Sequence, residues 1–452
     1  MMTTPDTPPR SSGIGIICRE SPKSDNVENA LKRVVSMKAK KLAGVLCVLA
    51  TMMWGMAACH SEVPSVSDSD PTHTGPSTSV RGSEGSTAGS SSPASSDSQT
   101  TESSNSGRTT DGTTAVQPKG ELEFSLTQWH PGIPGYDAVY PLTVKYSGLY
   151  VNAEDIHIES ETDGVRIVDS SAIVPETVRE RGVSVRLTAH YTPTGQTASL
   201  EIPVKPWRKV FGDEFEGTTL DMSQWSFSTG GTSTCVAVPD SFVMRDGKIQ
   251  LQLNRRTVTQ DGKTYDYVST SLNTSQTFKT MYGCFLVNFK STSFGGLNMG
   301  CSVYPVGAYS KNYLFFKKSN PKLGCAEIDP IEMSANWDNH YYVSEHFYDY
   351  TSRYEHSSLT SYVDVESSAS DQFHTYGVVW QEEGMYYYCD GRLVRVNEDV
   401  TAKGVGGTEA RRGFLNLGLG VDEPTGSWCG DWTFTDEDLP ISMDVDWVRI
   451  YQ

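Results

Sequence analysis

A chain of 452 residues exceeds the roughly 100–200 residues of one typical domain, so two or three units are expected. Its 55 acidic residues against 37 basic ones give a net charge of −18, and no basic face of the kind that binds nucleic acid is visible. That balance suits an extracellular protein that handles neutral ligands.

Residues 1–36 fit no targeting pattern, and Met37 is an alternative start. Residues 37–59 read as a secretory signal: Lys38, Lys40 and Lys41 precede an apolar run from Leu42 to Met56. The run is shorter than the ~20 residues of a membrane span. It closes on Met56-Ala57-Ala58-Cys59, which resembles a bacterial lipobox. The resemblance implies acylation of the Cys59 thiol and attachment to the outer face of the cell membrane; a plain N-terminal anchor is the alternative. Residues 60–118 are dominated by Ser, Thr, Gly, Pro and Asp. They cannot bury enough apolar surface to offset their ordering entropy, so a disordered stalk is expected.

Residues 119–206 carry short alternating runs such as 139–146 and 183–191, separated by Gly, Pro and Asp turns. They predict a small immunoglobulin-like β-sandwich, serving as a spacer or as a carbohydrate-binding module. Residues 207–452 are again strand-rich, with runs at 248–254, 285–290, 342–348, 373–379, 385–389 and 443–451. The expected class is all-β, with one large sandwich of two curved sheets. Of nine cysteines, Cys18 and Cys47 lie in or before the signal. Cys235, Cys284, Cys301, Cys325, Cys389 and Cys429 remain, an even number able to form up to three disulfides. No C-x-x-C spacing occurs among these six, which argues against zinc.

The chemistry concentrates in Glu327-Ile328-Asp329-Pro330-Ile331-Glu332. In a strand, Glu327 and Asp329 share a face, and Glu332 joins them only if one extra residue bulges out. Pro330 stands where that residue belongs, because a residue without an N–H fits a strand chiefly at a bulge or edge. The two glutamates then stand about 13 Å apart along the strand. By leaning inward, their carboxyls approach the ~5–5.5 Å separation of retaining glycosidases. A third carboxyl between them drives the pKa values apart and keeps one Glu protonated. A surface charge run and a calcium site are the competing readings.

With these residues on view, the stretch 207–452 resembles glycoside hydrolase family 16, the laminarinase-like enzymes. The shared motifs run from Gly212-Asp213-Glu214-Phe215 and Trp225 through Tyr282-Gly283, the acidic segment and Phe373-His374-Thr375-Tyr376. Asp390-Gly391, Leu415-Asn416-Leu417-Gly418 and Val445-Asp446-Trp447 complete them. The resemblance implies a concanavalin-like jelly roll. It makes Glu327 the nucleophile, Glu332 the general acid/base and Asp329 the residue that assists Glu327. It needs no cofactor for catalysis, and it implies a structural calcium held by the Asp446 side chain and by backbone oxygens of Glu214 and Gly247. Trp337, Trp428, His346 and Asn416 are expected to bind sugar, and His374 to be structural. The pattern also departs from the family. The usual Glu and Arg after Tyr-Gly are Leu286 and Asn288, and two usual Trp positions are Asn298 and Ser302. Such positions commonly contact sugar.

These readings converge on a monomeric, retaining, endo-acting β-glycosidase of an extracellular polysaccharide, with a β-1,3- or β-1,3/1,4-glucan first. A β-galactan or mucin-type glycan is the second substrate class, and a non-catalytic surface lectin is the reading from another class.

Overall fold

The computed structural model describes residues 120–306, 313–334, 339–349, 356–382, 384–401 and 412–452. The signal segment with Cys59, the Ser/Thr-rich stretch and Trp337 lie outside the described residues.

The regular structure of the described residues is almost entirely strand, as the alternating runs predict, and the strands build two sandwiches. In the first, Leu122–Leu126, Ala138–Tyr146, Leu149–Tyr150, Arg166–Val168 and Ser171–Val174 make a five-stranded sheet. Ile156–Ser160, Val185–Tyr191 and Gln196–Ile202 make a three-stranded one. Every second residue of Ala138–Val144 is buried. Tyr140 and Leu142 from one sheet meet Leu187 and Ile202 from the other.

The second is a large jelly roll of nine- and ten-stranded sheets. The nine-stranded sheet comprises β1 (Ser226–Phe227), β2 (Ser271–Asn273), β3 (Leu297–Pro305), β4 (Phe315–Lys317), β5 (Leu323–Ser334), β6 (His340–Asp349), β7 (His356–Asp364), β8 (Val400–Thr401) and β9 (Gly413–Val421). Its central order is β2-β9-β3-β5, and β6 and then β7 continue it beyond β5. The ten-stranded sheet includes Lys248–Gln260, Gly283–Lys290, His374–Trp380, Met385–Cys389 and Ile441–Tyr451. Ile249, Leu251, Val287 and Phe289 from this sheet share one core with Met299, Val303, Ile328 and Ile331 from the other. Burying each such side chain contributes about 1.5–3 kcal/mol, which holds the strands that carry the acidic segment.

The small sandwich packs on the outer face of the ten-stranded sheet. Ile133, Cys284, Leu286, Val379, Tyr386 and Tyr388 form one buried cluster there, flanked by Trp129, Tyr136 and Trp207. His130 Nδ1 lies 3.1 Å from the Tyr388 hydroxyl, and the Tyr136 hydroxyl donates to Thr375 Oγ1 at 2.8 Å. Gly391 is required at this junction, because a Cβ there would stand 2.5 Å from the Tyr136 ring. The expectation that Leu286 and Asn288 face sugar is therefore wrong. Leu286 is 1% exposed under the small sandwich, and Asn288 Nδ2 donates to the same Thr375 hydroxyl at 3.0 Å. Both lie on the sheet opposite the cleft, where a Glu and an Arg would leave charges buried beneath another module.

All six cysteines of this region are free and buried, so the disulfide framework is not formed. Burial pushes the Cys235 thiol up to about 11 and the Cys389 thiol up to about 12. A protonated, inaccessible thiol is a poor nucleophile. Alkylation of the folded chain without reductant is expected to leave these six unlabelled. Denaturant alone should then expose all six, as peptide mass mapping would show; any pair that still needs reductant would refute the free-thiol structure.

Candidate active site

The acidic segment occupies β5, and its register contains the bulge that Pro330 announces. Asp329 pairs with Ser344 and Glu332 with Tyr342, so three steps on β5 face two on β6. On the other edge, Ile331 pairs with Cys301 and Ile328 with Val303, again with one residue extra on β5. The consequence is visible in burial. Ile328 and Ile331, three apart, both enter the core at 0% exposure. Glu327, Asp329 and Glu332 consequently share the outer face of the sheet. Gly300 allows the bulge to close against β3, since a Cβ there would stand 2.7 Å from the Ile331 carbonyl oxygen. A further register shift, between Cys325 and Glu327, was not foreseen.

Cross-strand partners point to the same face, so the register lays out the cleft in rows. Glu327 aligns with His346 and Ser358, Asp329 with Ser344 and Thr360, and Glu332 with Tyr342 and Tyr362. On the opposite side Glu332 aligns with Gly300, Gly418 and Ser271, while Ser302 aligns with Asn416 and Asn273. A cavity of about 340 Å³ opens on this face and includes Glu327, Glu332, Asn298, Asn416, Ser302 and Trp428 in its lining. Two of the expected sugar contacts, Asn416 and Trp428, are thus brought to the carboxyls.

The electrostatics centre on His346, which is 4% exposed. Its Nε2 lies 3.1 Å from Asp329 Oδ2 and 3.6 Å from Glu332 Oε2. Its Nδ1 lies 3.0 Å from His356 Nε2, and the two rings stack at 5.3 Å. Burial works to strip the His346 proton, but the contacts with Asp329 and Glu332 and the charge of Glu327 outweigh it and hold its pKa well above the ordinary value. Burial and the His346 charge hold His356 down to about 4, so it is the neutral acceptor of the pair. Burial pushes the Glu327 carboxyl up, opposed by the His346 charge. Burial, reinforced by Glu327 and Glu332, pushes Asp329 up much further. The Asp329 carboxyl is thus held up further than that of Glu327, where the His346 charge and the Tyr304 hydroxyl oppose burial.

The Tyr304 hydroxyl donates to Glu327 Oε1 at 2.6 Å. Burial and the Glu327 charge keep that phenol protonated. Among the described residues, Glu327 Oε2, both Asp329 oxygens and His346 Nε2 are buried without an aligned hydrogen-bond partner. The His346–Asp329 approach is therefore a charge contact rather than a straight hydrogen bond. Orphaned polar atoms of this kind call for a ligand, a proton or water. One ligand atom each from Glu327, Asp329 and His346 falls within 4.8 Å of the others, close enough for a cation. A protonated imidazole already supplies positive charge at that spot, so a metal is not needed to balance the acids.

The remaining expectations fall elsewhere. His374 Nδ1 lies 2.6 Å from Asp390 Oδ2 on the ten-stranded sheet, and Asp390 Oδ1 also accepts the Thr375 N–H, so His374 secures a turn. Glu214, Gly247 and Asp446 also sit at that sheet. The Glu214 carboxylate is clamped by Arg449 at 2.6 and 3.0 Å and by Lys209 at 3.2 Å, which leaves only its main-chain oxygen for calcium. Tyr304, His356 and the Tyr342–Tyr362 pair were not singled out from sequence. Tyr304 was legible. Met299, Cys301 and Val303 alternate into the core, which sends Asn298, Gly300, Ser302 and Tyr304 to the cleft face.

Residues 230–407 match the family model of glycosyl hydrolases family 16. The chain is 24% identical over 273 residues to glucan endo-1,3-beta-glucosidase A1 of Niallia circulans, covering 54% of this chain and 37% of that protein. It is 26% identical over 242 residues to a beta-glucanase of Acetivibrio thermocellus, covering 52% of this chain and 60% of that protein. The chain thus spans less than two thirds of either relative. The catalytic domain of an endo-1,3-beta-glucanase (laminarinase) from Thermotoga petrophila is 21% identical and covers 54% of this chain and 98% of its own, with a TM-score of 0.45. The family-model match lies within the large sandwich.

The charge arrangement predicts that the His346 ring stays doubly protonated in the folded protein at pH 7.5, where a free histidine is neutral. Nitrogen-15 shifts of its ring would show this. Glu327→Gln should lower the pH at which the ring loses its proton, because the Glu327 charge helps hold that proton; an unchanged or higher value would remove His346 from the acid cluster.

Proposed function

We propose that the large sandwich is a retaining, endo-acting β-glycosidase whose nucleophile is Glu327 and whose general acid/base is Glu332. The observation that carries this is the bulge, which sets both glutamates in one cavity with a buried acid and an imidazolium between them. Glu327, held by Tyr304, attacks the anomeric carbon as Glu332 gives its proton to the departing glycosidic oxygen. A covalent glycosyl-Glu327 results. Glu332, now a carboxylate, takes a proton from water, and the hydroxide displaces Glu327 with net retention. His346 with its charge moderates the repulsion as Glu332 changes state.

A β-1,3- or mixed-linkage glucan is the favoured substrate, supported by the similarity to a glucan endo-1,3-beta-glucosidase and a beta-glucanase. A β-galactan or mucin-type glycan is the second reading, favoured by one observation. Asn298 and Ser302 line the cavity where Trp is usual, so here amides and hydroxyls share the lining with the rings of Trp428, Tyr304 and Phe414. A lectin has no use for a buried proton-sharing cluster, which disfavours the non-catalytic reading. A structural calcium at Asp446, Glu214 and Gly247 would act on stability alone, and chelation should then lower the melting temperature without reaching the cleft.

We further propose that acylated Cys59 tethers the chain to the outer face of the cell membrane. Cys59→Ser should release the protein into the medium, and retention at the surface would sink the anchor.

For the site, Glu332→Gly should lose about 100- to 10,000-fold in turnover of a soluble β-glucan or β-galactan. Glu327→Gly should be inactive. Azide added to Glu327→Gly should restore turnover with an α-configured glycosyl azide, because the small anion enters the vacated space on the nucleophile's side. Product of the β configuration from that variant would reverse the two roles.

A further inference from the structure

The cavity that holds the two glutamates carries a further acid at one end. Along β9, Leu415, Leu417, Leu419 and Val421 enter the core. Phe414, Asn416, Gly418 and Gly420 therefore face the cleft, and Asp422 follows them into the cavity lining. Gly418 stands in the Glu332 row, so Asp422 lies about 13 Å from that row along the strand. The floor between is bare: Gly300 and Gly418 carry no side chain, and a Cβ at Gly420 would meet nothing within 4 Å. Asp422 itself is 5% exposed. Its Oδ1 accepts the Ser233 hydroxyl at 2.6 Å and the Ser233 N–H at 3.4 Å, and its main-chain oxygen accepts the Thr234 hydroxyl at 2.7 Å. These bonds fix the carboxylate against the turn at 232–234. Its Oδ2 receives no hydrogen bond from the described residues, so a buried acid offers a free acceptor to the cavity.

The lining is one-sided in charge. Glu327, Glu332 and Asp422 contribute to it, and no Lys, Arg or His among the described residues does. Lys263 stands behind the turn, its ammonium donating to the Thr232 carbonyl at 3.0 Å and lying over the Tyr265 ring, outside the lining. Burial pushes the Cys429 thiol up, and the charges of Glu332 and Asp422 add to the push, so the fields of both acids meet at this end.

We propose that Asp422 is a specificity residue that restricts this cavity to saccharides without anionic groups. The inference rests on the glycosidase reading above and narrows its substrate class. The free oxygen of Asp422 accepts a hydroxyl of a neutral sugar. A sulfate ester or a uronic acid carboxylate at the same place meets like charge, in a cleft whose walls focus the field of its acids. Asp422 thus reads charge, while the amides and hydroxyls of the lining read hydroxyl pattern. The assignment also gives the reaction a place in a sequence. An anionic glycan is cut only after its anions are removed, by hydrolysis of sulfate esters or of the bonds to acidic sugars.

Full-length wild type, Asp422→Asn and Ser233→Ala should be compared on a soluble β-glucan and a soluble β-galactan, each in neutral and lightly sulfated form. Asparagine keeps the acceptor for Ser233 and removes the charge, whereas the serine variant loosens the turn and leaves the charge in place. The ratio of kcat/KM for neutral over sulfated polymer is expected to be about tenfold or more in wild type. It should fall at least about threefold in Asp422→Asn, through faster cleavage of the sulfated polymer, and stay high in Ser233→Ala. Raising the ionic strength from about 0.02 to 0.5 M should narrow the wild-type ratio, and this series decides alone if Asp422→Asn does not fold. A wild-type ratio near one, a ratio insensitive to salt, or an equal ratio in wild type and Asp422→Asn would overturn the charge selection while leaving the glycosidase intact. Wild type that cleaves no neutral polymer of either series would instead overturn the glycosidase reading, and this inference with it.

Discussion

One extra residue in β5 governs the chemistry of this molecule. Without it, strand alternation would send Glu332 into a core built of Ile, Val, Met and Phe, where an unpaired carboxylate costs several kcal/mol. With it, two isoleucines three apart fill that core, and three acids gather on the opposite face. The bulge is held from both sides. β3 presents a glycine to the Ile331 carbonyl, and β6 accepts the shifted register from Ser344 to Tyr342. Gathering three carboxyls is unfavourable in itself, so the sheet also supplies positive charge. Buried His346 reaches Asp329 and Glu332 through one nitrogen and is braced through the other by a histidine that stays neutral. The same imidazolium opposes the upward push of burial on both the Glu327 and the Asp329 carboxyls.

The strands behind the cleft are stabilised in turn from the side that touches no substrate. Glu345, next to His346 on β6, points the other way and is buried at 0% exposure. It is hydrogen-bonded there by the Arg395 guanidinium and by the Tyr387 hydroxyl at 2.7 Å, both from the ten-stranded sheet. That sheet is itself covered by the small sandwich through Tyr136, His130 and the cluster around Ile133. Site and module are thus linked through the sheet between them. A buried ion pair between sheets is weak ground for net stability, but it penalises any other register of β6 against the opposite sheet.

Legibility from sequence divides along physical lines. Strand-rich, two-sandwich architecture was readable because alternation of apolar residues is a local signal. The bulge was readable because proline lacks a donor, and the spacing of Glu327, Asp329 and Glu332 makes sense only with an added residue. The role of His346 was only half readable. It stood on the neighbouring strand, yet nothing local distinguishes an imidazolium among carboxyls from a satisfied core histidine. His356, Tyr342 and Tyr362 were not readable, because their importance depends on β6–β7 register, a non-local quantity. The errors share a cause. Leu286 and Asn288 were judged by what a family usually places there, whereas the structure assigns them to the face that a second module covers. The even number of cysteines suggested cross-links, but thiols dispersed through a large apolar core need no partner.

That misjudged pair changes the argument about substrate. If all four departures had faced the cleft, the whole platform would have been rebuilt and any relation to glucan recognition would be weak. Two of the four only fit one module onto the other. The divergence that bears on substrate narrows to Asn298 and Ser302 on β3, beside Gly300 and across from Asn416 and Gly420. There, small donors and acceptors stand where the family places rings, while Trp428 lines the same cavity. Hydrogen-bonding groups discriminate hydroxyl patterns strongly because a mismatch leaves buried polar atoms unpaired, whereas flat rings discriminate weakly. On the glycosidase reading proposed above, selectivity of this cleft therefore resides in the amides and hydroxyls of Asn298, Ser302 and Asn416, which a mismatched hydroxyl pattern would leave unpaired.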